Sequence, residues 1–397
     1  MAITNIADQK TPARPIEITF APELGLPSAD QEVLLIGHAA SGIASSSINT
    51  VININNSSDR EAALAECVTK GFGSASELTK MVLAAIDANA GSSSFPALKV
   101  CPLASTETGF GTADAALTAV SRVKAEFVVS PYDGQDSALG IKLKNTCLLM
   151  SGATRTDNNQ FGTVGVLANL DETDPSLLYQ YDTQYLMPIY MRDTGTNPYS
   201  VAELAAASAA KVAALTVPFN PLDDVTIVGV TPPANPADNL TRGGGLETEA
   251  ALNKGWTPLF VKPNGEVAFV RTVTARLSAD GTGAPVVGAY YDVQDFMVLY
   301  FFRKTIWTRV SQPDFKRRKA SQESAIDLKS EIVRLAALFE EQSMFQAVDK
   351  LAKQIIVERS ASDRHRFDVK IPVNVVPGLH VIATNIEAGV LFDSFSI

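Results

Sequence analysis

Short apolar runs alternate with amphipathic segments along the first part of the chain. The runs at 32–37, 97–103 and 125–132 are predominantly apolar, as expected of strands that are buried on both faces. The third is expected to end at Pro131, because proline cannot donate a ladder hydrogen bond. Strands and helices that alternate at this spacing predict an α/β sandwich with parallel strands.

Polar residues mark where helices should begin. Asp59 and Ser76 each precede an amphipathic segment, and Ser200 precedes an alanine-rich one. Side chains of these types accept hydrogen bonds from the first free N–H groups of a helix. Each of the three is therefore predicted to be an N-cap.

The middle of the chain extends the alternation. Apolar runs at 162–169, 185–191 and 224–230 predict further strands. Two alternating runs then flank Asn264-Gly265, a dipeptide that favours the tight turn of a β-hairpin.

Helical periodicity dominates after a glycine-rich stretch at 277–291, where a domain boundary is plausible. Two long helices are predicted beyond it. In the second, Leu328, Ile332, Leu335 and Phe339 lie on one face, which predicts a stripe that packs on a core.

Both ends of the chain contain alternating segments without a predicted partner strand. The segment 15–20 alternates near the N-terminus, and 366–376 and 379–392 do so near the C-terminus. The apolar residues of 366–376 are expected on one face of a single strand. Unpaired segments of this kind are suited to joining the sheet of another molecule.

The composition indicates a folded protein. Of the 397 residues, 46% are apolar and 19% are charged, which argues against a disordered chain. No signal peptide or membrane span is expected, because no apolar stretch has the required length. The three cysteines are far apart and odd in number, so neither a disulfide framework nor a cysteine metal site is predicted.

Candidate catalytic residues are few. The chain has only three histidines, and no G-x-S-x-G motif is present. Gly37 and Gly42 have P-loop spacing, but Ile43 and Ala44 follow where Lys and Ser or Thr would be needed. We therefore predict no catalytic, metal-binding or cofactor-binding residue, and expect no cofactor.

A basic segment contrasts with the acidic chain. Seven bases and a single acid, Asp314, lie between residues 303 and 319, whereas the whole chain has a formal charge of −10. Acids that would balance a solvated helix face are not found at i,i+4 positions, so the segment predicts an anionic partner. That partner is nucleic acid or an acidic protein surface, and nucleic acid is disfavoured by the negative charge of the rest of the chain.

Three stretches carry a resemblance to a known family. They are, in order, NPYSVAELAAASAAKVAAL, LNKGWTPLFVKPNGEVAFVRTVT and YYDVQDFMVLYFFRKTIWTRVSQPDF. Together they resemble the contractile tail sheath proteins of phages, especially the Mu-like myophage group, which is related to the sheaths of R-type pyocins and other contractile injection systems. The similarity spans about residues 180–397. The PGVY-type N-terminal motif of many sheath proteins is absent.

The resemblance implies a fold and a role. The fold is α/β plus α+β: a subtilisin-like α/β domain without protease function, a C-terminal α+β domain that faces the inner tube, and extended arms. The role is that of a structural subunit, not an enzyme, which polymerises as stacked hexameric rings and contracts to drive the tube through the host envelope. The implied partners are other copies of the chain, the tail tube protein, and the baseplate and tail terminator proteins, with no nucleic acid and no direct membrane insertion. The implied location is the virion tail, after assembly in the host cytoplasm.

The implied domains follow the boundaries described above. We expect an N-terminal arm at 1–22, the α/β domain at 23–276, the inner α+β domain at 277–378 and a C-terminal strand at 379–397. Whether an outer insertion lies within 30–180 stays open.

The resemblance also suggests two sets of contact residues. The candidates for contact with the tube are Arg303, Lys304 and Arg309 first, and Lys316, Arg317, Arg318 and Lys319 second. The candidates for strand exchange between subunits are Ile16, Ile18, Phe20, Val369, Ile371, Val373, Val390 and Phe392.

Two other classes of function compete with this interpretation. One is an α/β hydrolase-like enzyme whose basic strip binds an anionic substrate. The other is a nucleic-acid-binding module.

Overall fold

A computed structural model describes most of the chain. The described residues are 31–92, 94–151, 162–170, 174–192, 199–215, 217, 219–232, 246–277, 292–316, 318–361 and 366–380. The predicted N-terminal arm and nearly all of the predicted C-terminal strand lie outside these residues.

Within the described residues, eight strands form one sheet. Their bounds are β1 Glu32–His38, β2 Ile52–Ile54, β3 Ala97–Leu103, β4 Phe127–Asp133, β5 Val164–Asn169, β6 Leu186–Tyr190, β7 Thr257–Val261 and β8 Val267–Phe269. Their order across the sheet is β2-β3-β1-β4-β5-β6-β7-β8. The six central strands are parallel, and β2 and β8 pair antiparallel at the two edges. A parallel sheet of this kind needs cover on both faces.

Helices supply that cover. Their bounds are α1 Arg60–Thr69, α2 Glu77–Asp87, α3 Ala115–Val120, α4 Ser137–Ser151, α5 Val201–Ala213 and α6 Leu246–Asn253. On β1, Val33 and Leu35 belong to the core that contains α1, α2 and α5. The alternate residues Leu34 and Ile36 belong to the opposite core, with α3, α4 and α6. The predicted α/β sandwich with parallel strands is confirmed.

The predicted helix caps are also confirmed. Asp59 accepts hydrogen bonds from the first turn of α1, and the Ser76 hydroxyl accepts one from the Thr79 N–H in α2. Ser200 and Glu203 form a reciprocal capping box at the start of α5.

Two strand predictions are wrong. Strand β4 continues through Pro131, because its pairing with β5 shifts register between Val129 and Asp133 and requires no donor from the proline. Residues 224–230 form only an isolated bridge, Thr226 to Ala268, rather than a strand. Positive φ angles at Asp224 (63°) and Gly229 (83°) interrupt the extended backbone there.

A helical unit follows the sheet in the chain. It contains α7 Val293–Val310, α8 Pro313–Lys316, α9 Gln322–Glu341 and α10 Val348–Ala352, followed by the antiparallel strands β9 Ile356–Arg359 and β10 Phe367–Lys370. The predicted stripe of α9 is confirmed, since Ile332, Leu335 and Phe339 are buried. Phe302 of α7 packs on Phe339, with 5.0 Å between ring centroids. No helix in the described parts of the chain is long and apolar enough to span a membrane.

The predicted strand at 366–376 is shorter than expected. Strand β10 ends at Lys370, and the chain then leaves β9 to follow the loop after α9, where the Gln346 N–H donates to the Asn374 carbonyl at 2.9 Å. The apolar residues therefore do not share one environment. Val369 is exposed, whereas Ile371 and Val373 pack against the core.

Helix α7 is joined closely to the sheet unit. The Arg303 guanidinium donates to the Ser151 carbonyl at the end of α4, at 2.7 Å. The Tyr300 ring lies so close to Gly162, just before β5, that a Cβ at this glycine would be 1.8 Å from the ring. Only a residue without a side chain fits beneath the ring.

We expect Gly162→Ala to loosen this junction. The added methyl group overlaps the Tyr300 ring, and overpacking of this kind usually costs about 1–3 kcal/mol. Urea unfolding should show that loss of stability. Gly109→Ala is the control, because its Cβ would contact only Leu139, at 3.9 Å. Equal stability of the two variants would contradict the proposed contact.

Candidate functional site

The carboxyl edge of the sheet is the place where an α/β enzyme would hold its ligand. Strand β1 lies between β3 and β4, so the next strands are added first on one side of it and then on the other, and open α/β sheets form a crevice at such a point. His38 ends β1, Tyr132 lies near the end of β4, and Glu77 begins α2.

The polar groups of this crevice are bonded to one another. His38 Nδ1 lies 2.5 Å from a Glu77 carboxylate oxygen, and Nε2 lies 2.8 Å from the Glu107 carbonyl. The Tyr132 hydroxyl donates to the Gly109 carbonyl at 2.5 Å. The hydrogen bond to Glu77 raises the pKa of His38, against the effect of burial.

This arrangement does not leave a free base. A Ser-His-Asp triad needs one ring nitrogen to face a serine, but both nitrogens of His38 have partners. The neighbouring Asp133 is likewise engaged by the Asn169 amide, at 2.9 and 3.2 Å. In the described ranges, no group of three or more His, Cys, Asp or Glu side chains could hold a metal ion. His365 lies outside them.

The first three basic candidates face the protein rather than open solvent. Arg303 is half-buried and bound to the Ser151 carbonyl. Burial raises the pKa of Glu126, and nearby Lys304 opposes that shift, so this lysine lies beside the sheet. Arg309 donates to Glu331 at 2.8 Å, and only 15% of its side chain is exposed.

The second set of basic candidates follows α8. The Arg318 guanidinium donates to Asp327 and lies over the Phe315 ring, 4.6 Å from the ring centroid. Lys319 is exposed. The side chain of Lys316 and all of Arg317 lie outside the described part of the chain.

The expectation that this segment lacks local acids is wrong. Arg309 also forms a bidentate pair with Asp314, at 2.9 and 3.0 Å, and α9 supplies Glu331 and Asp327. These last two acids belong to another helix, which a search at i,i+4 spacing does not reach. The exposed part of the charge is therefore concentrated after α8.

An apolar groove runs between α7 and the chain after β10. Its volume is about 420 Å³. The residues that line it are Leu299, Phe302, Arg303, Ile306, Trp307, Val310, Ile371 and Val373. Two of the strand-exchange candidates, Ile371 and Val373, thus lie in the groove, and Val369 is exposed nearby on β10. The other five candidates, Ile16, Ile18, Phe20, Val390 and Phe392, lie outside the described residues.

The sheet formed by β9 and β10 has free edges. In the part of the chain that the structure describes, no third strand pairs with either of them. Ile356 is 46% exposed and Val369 is 40% exposed, so apolar side chains accompany the unpaired backbone groups. An exposed edge of this type can take up another strand.

Comparison with known proteins identifies the fold. No protein-family model and no curated protein matches the sequence. The structure is similar to a sheath tail protein from Listeria innocua, with a TM-score of 0.60, 12% identity, and coverage of 87% of this chain and 92% of that one. It is also similar to a sheath tail protein from Desulfitobacterium hafniense, with a TM-score of 0.59, 12% identity and coverage of 92% and 97%.

A third solved structure agrees with these two. A chain of the anti-feeding prophage baseplate has a TM-score of 0.59 and 12% identity, with coverage of 96% of this chain and 100% of that one. The chain therefore has the fold of tail sheath proteins over nearly its whole length, as the motif resemblance implied.

Arg309 and Arg318 should differ in their effect on stability. Arg309→Ala removes the partially buried pair with Glu331, which retains its pair with Arg334, and also the pair with Asp314. We expect the free energy of unfolding to fall by about 1–3 kcal/mol. Arg318→Ala removes an exposed pair and should cost about 0–1 kcal/mol. Urea denaturation of both variants measures the difference. Equal losses of stability in the two variants would show that the ion pairs of Arg309 stabilise the protein no more than the ion pair of Arg318.

The contribution of His38 should depend on pH. Its pKa is raised above the ordinary 6.5 in the folded protein, so its stabilising effect is complete below that pH and is lost as the pH rises through the raised value. We therefore expect His38→Gln to reduce stability more below pH 6.5 than at alkaline pH, as measured by urea unfolding. Tyr181→Phe removes a neutral hydroxyl that donates to the Gly134 carbonyl rather than to His38, and is the pH-independent control. A loss with no pH dependence would show that His38 is not charged in the folded state.

Proposed function

We propose that the chain is a structural subunit of a contractile phage tail sheath. Its subunits would form stacked hexameric rings around the tail tube and contract to drive the tube through the host envelope. The observation that carries this proposal is the fold, which matches sheath tail proteins over 92% and 87% of the chain. In this role the protein is a component of the virion, assembled in the host cytoplasm, and has no catalytic activity.

The exposed sheet of β9 and β10 provides a mode of assembly. An added strand from a neighbouring copy would satisfy the free backbone groups, and its alternate side chains would enter an apolar pocket. Ile16, Ile18 and Phe20 share one face of such a strand, and the groove beside α7 provides an apolar surface of suitable character. A contact between two different surfaces of the same chain continues from copy to copy, and it builds a ring when the rotation closes and an open helix when it does not.

The basic segment after α8 is proposed as the contact with the inner tube. Lys316, Arg317, Arg318 and Lys319 follow one another from the last residue of α8. Arg318 and Lys319 are exposed, although Arg318 also pairs with Asp327, whereas Arg303 and Arg309 are largely covered by contacts within the protomer. Exposed charge pairs each contribute only about 0–1 kcal/mol. Many such contacts around an acidic tube would hold the extended sheath together and still release it during contraction.

Contraction would then be a rigid-body movement of linked subunits. The baseplate and the tail terminator would be the partners at the two ends of the sheath. Neither nucleic acid nor a cofactor is required in this role. The hydrolase alternative is not favoured by the crevice, because the polar groups there bind one another.

The N-terminal segment provides the test of strand exchange. We expect wild-type protein to form ordered tubes or stacked rings in negative-stain electron microscopy. Serine at Ile16, Ile18 and Phe20 should abolish these polymers, because the buried face of the added strand becomes polar, while circular dichroism shows an intact fold. The matched control places serine at Glu17 and Thr19, on the opposite face, and should polymerise.

Two outcomes would contradict these proposals. Uniform small particles from the wild-type protein would argue against the sheath function. Tubes from the variant with serine at Ile16, Ile18 and Phe20 would argue against strand exchange through residues 16–20.

A further inference from the structure

His380 lies between two carboxylates at the end of the segment that follows β10. Its Nδ1 is 2.5 Å from an Asp223 oxygen, and its Nε2 is 2.7 Å from an Asp292 oxygen. Only 10% of the histidine side chain is exposed, and only 5% of Asp292. An imidazole that donates from both nitrogens to carboxylates is in its charged form.

The contacts of His380 join distant parts of the chain. Asp223 belongs to the loop after α5, and Asp292 directly precedes α7. Arg271, just after β8, donates to both oxygens of Asp292, at 2.8 and 3.1 Å. The ring therefore binds the C-terminal segment to the place where the sheet unit meets α7.

Apolar packing holds this segment as far as Val375 but not the residues that follow it. Val376 is 37% exposed and Leu379 is 75% exposed, so neither is anchored by burial. The backbone passes close to Pro221, since a Cβ at Gly378 would lie 2.6 Å from that ring. A cavity of about 240 Å³ with both polar and apolar lining residues lies beside the segment. The Val376 N–H still donates to the Met344 carbonyl at 3.0 Å, and beyond it the ion pairs of His380 are the polar contacts that the structure shows for the segment.

We propose that His380 is an ionic latch that holds the end of the segment after β10 against the place where the sheet unit meets α7. The latch is closed while the imidazole is charged, and removal of either carboxylate weakens it. It is a property of the single chain and goes beyond the proposed role in a sheath.

The charged groups around the His380 ring determine the pH at which the latch opens. The described charged groups near it are Asp223, Asp292, Asp295 and Arg271. Hydrogen bonds to Asp223 and Asp292 raise the pKa of His380 to about 9, against the effects of burial and Arg271. Since the folded pKa is raised, the latch is stable at neutral pH and is lost as the pH rises through about 9.

At neutral pH the other carboxylates near the ring also favour the charged form of His380. Burial raises the pKa of Asp295 to about 6, so this cavity residue is ionised at neutral pH and favours a charged His380. Burial also acts on Asp292, but hydrogen bonds from His380 and Arg271 hold its pKa below the ordinary range.

Hydrogen exchange measured by peptide mass spectrometry tests the latch, whether or not the protein polymerises. Exchange at imidazole carbon Cε1 reports the pKa of His380, and amide exchange reports the protection of residues 371–380. For Asp223→Asn we expect the His380 pKa to fall by about one unit. We also expect amide protection in the segment to fall about tenfold at neutral pH. Glu341→Gln, which neutralises an exposed carboxylate at the end of α9, is the matched control and should change neither.

A second variant separates the latch from general destabilisation. His380→Gln should lose protection in 371–380 to the same degree while β1 and β4 remain protected. Titration of His380 near 6.5 in the wild-type protein, or unchanged protection of the segment in Asp223→Asn, would overturn the proposal. Neither result depends on whether the protein forms tubes, so failure of the latch is distinguishable from failure of the sheath function.

Discussion

The packing of α7 against both the sheet unit and α9 is the constraint on which the rest of the structure depends. Phe301 contacts Phe219 of the sheet unit, with 5.6 Å between ring centroids, and Phe339 of α9, at 5.4 Å. The same buried cluster contains strand residues such as Val33 and α9 residues such as Leu335. The helical unit is therefore built onto the sheet through this helix. The groove, the basic segment and the site of His380 all adjoin it.

Periodicity predicted most of the α/β sandwich because its strands and caps are local signals. Helix α4 was not predicted, because it has apolar residues on both its buried and its exposed face and therefore shows no helical periodicity in the sequence. The buried ones include Leu143 and Met150, and the exposed ones are Ile141, Leu148 and Leu149. The end of β10 was also missed. Alternation continues in the sequence beyond Lys370, but the backbone there bonds to the loop after α9.

The charged contacts could be predicted only in part. The basic run is visible in the sequence, but Glu331, the partner of Arg309, lies 22 residues away on another helix. The partners of His380 are 157 and 88 residues away in sequence. Contacts at such separations depend on the tertiary arrangement, so neither composition nor spacing indicates them. The strand-exchange residues near the N-terminus rest on alternation and family resemblance alone.

The absence of a side chain at Gly162 has a mechanical consequence. The Tyr300 ring rests directly on the backbone beside β5, without an intervening flexible group to take up displacement. Protein interiors are nearly incompressible, so a load on α7 passes to the central sheet instead of being dissipated. A displacement of α7 would therefore be passed on to β5 rather than absorbed at this contact.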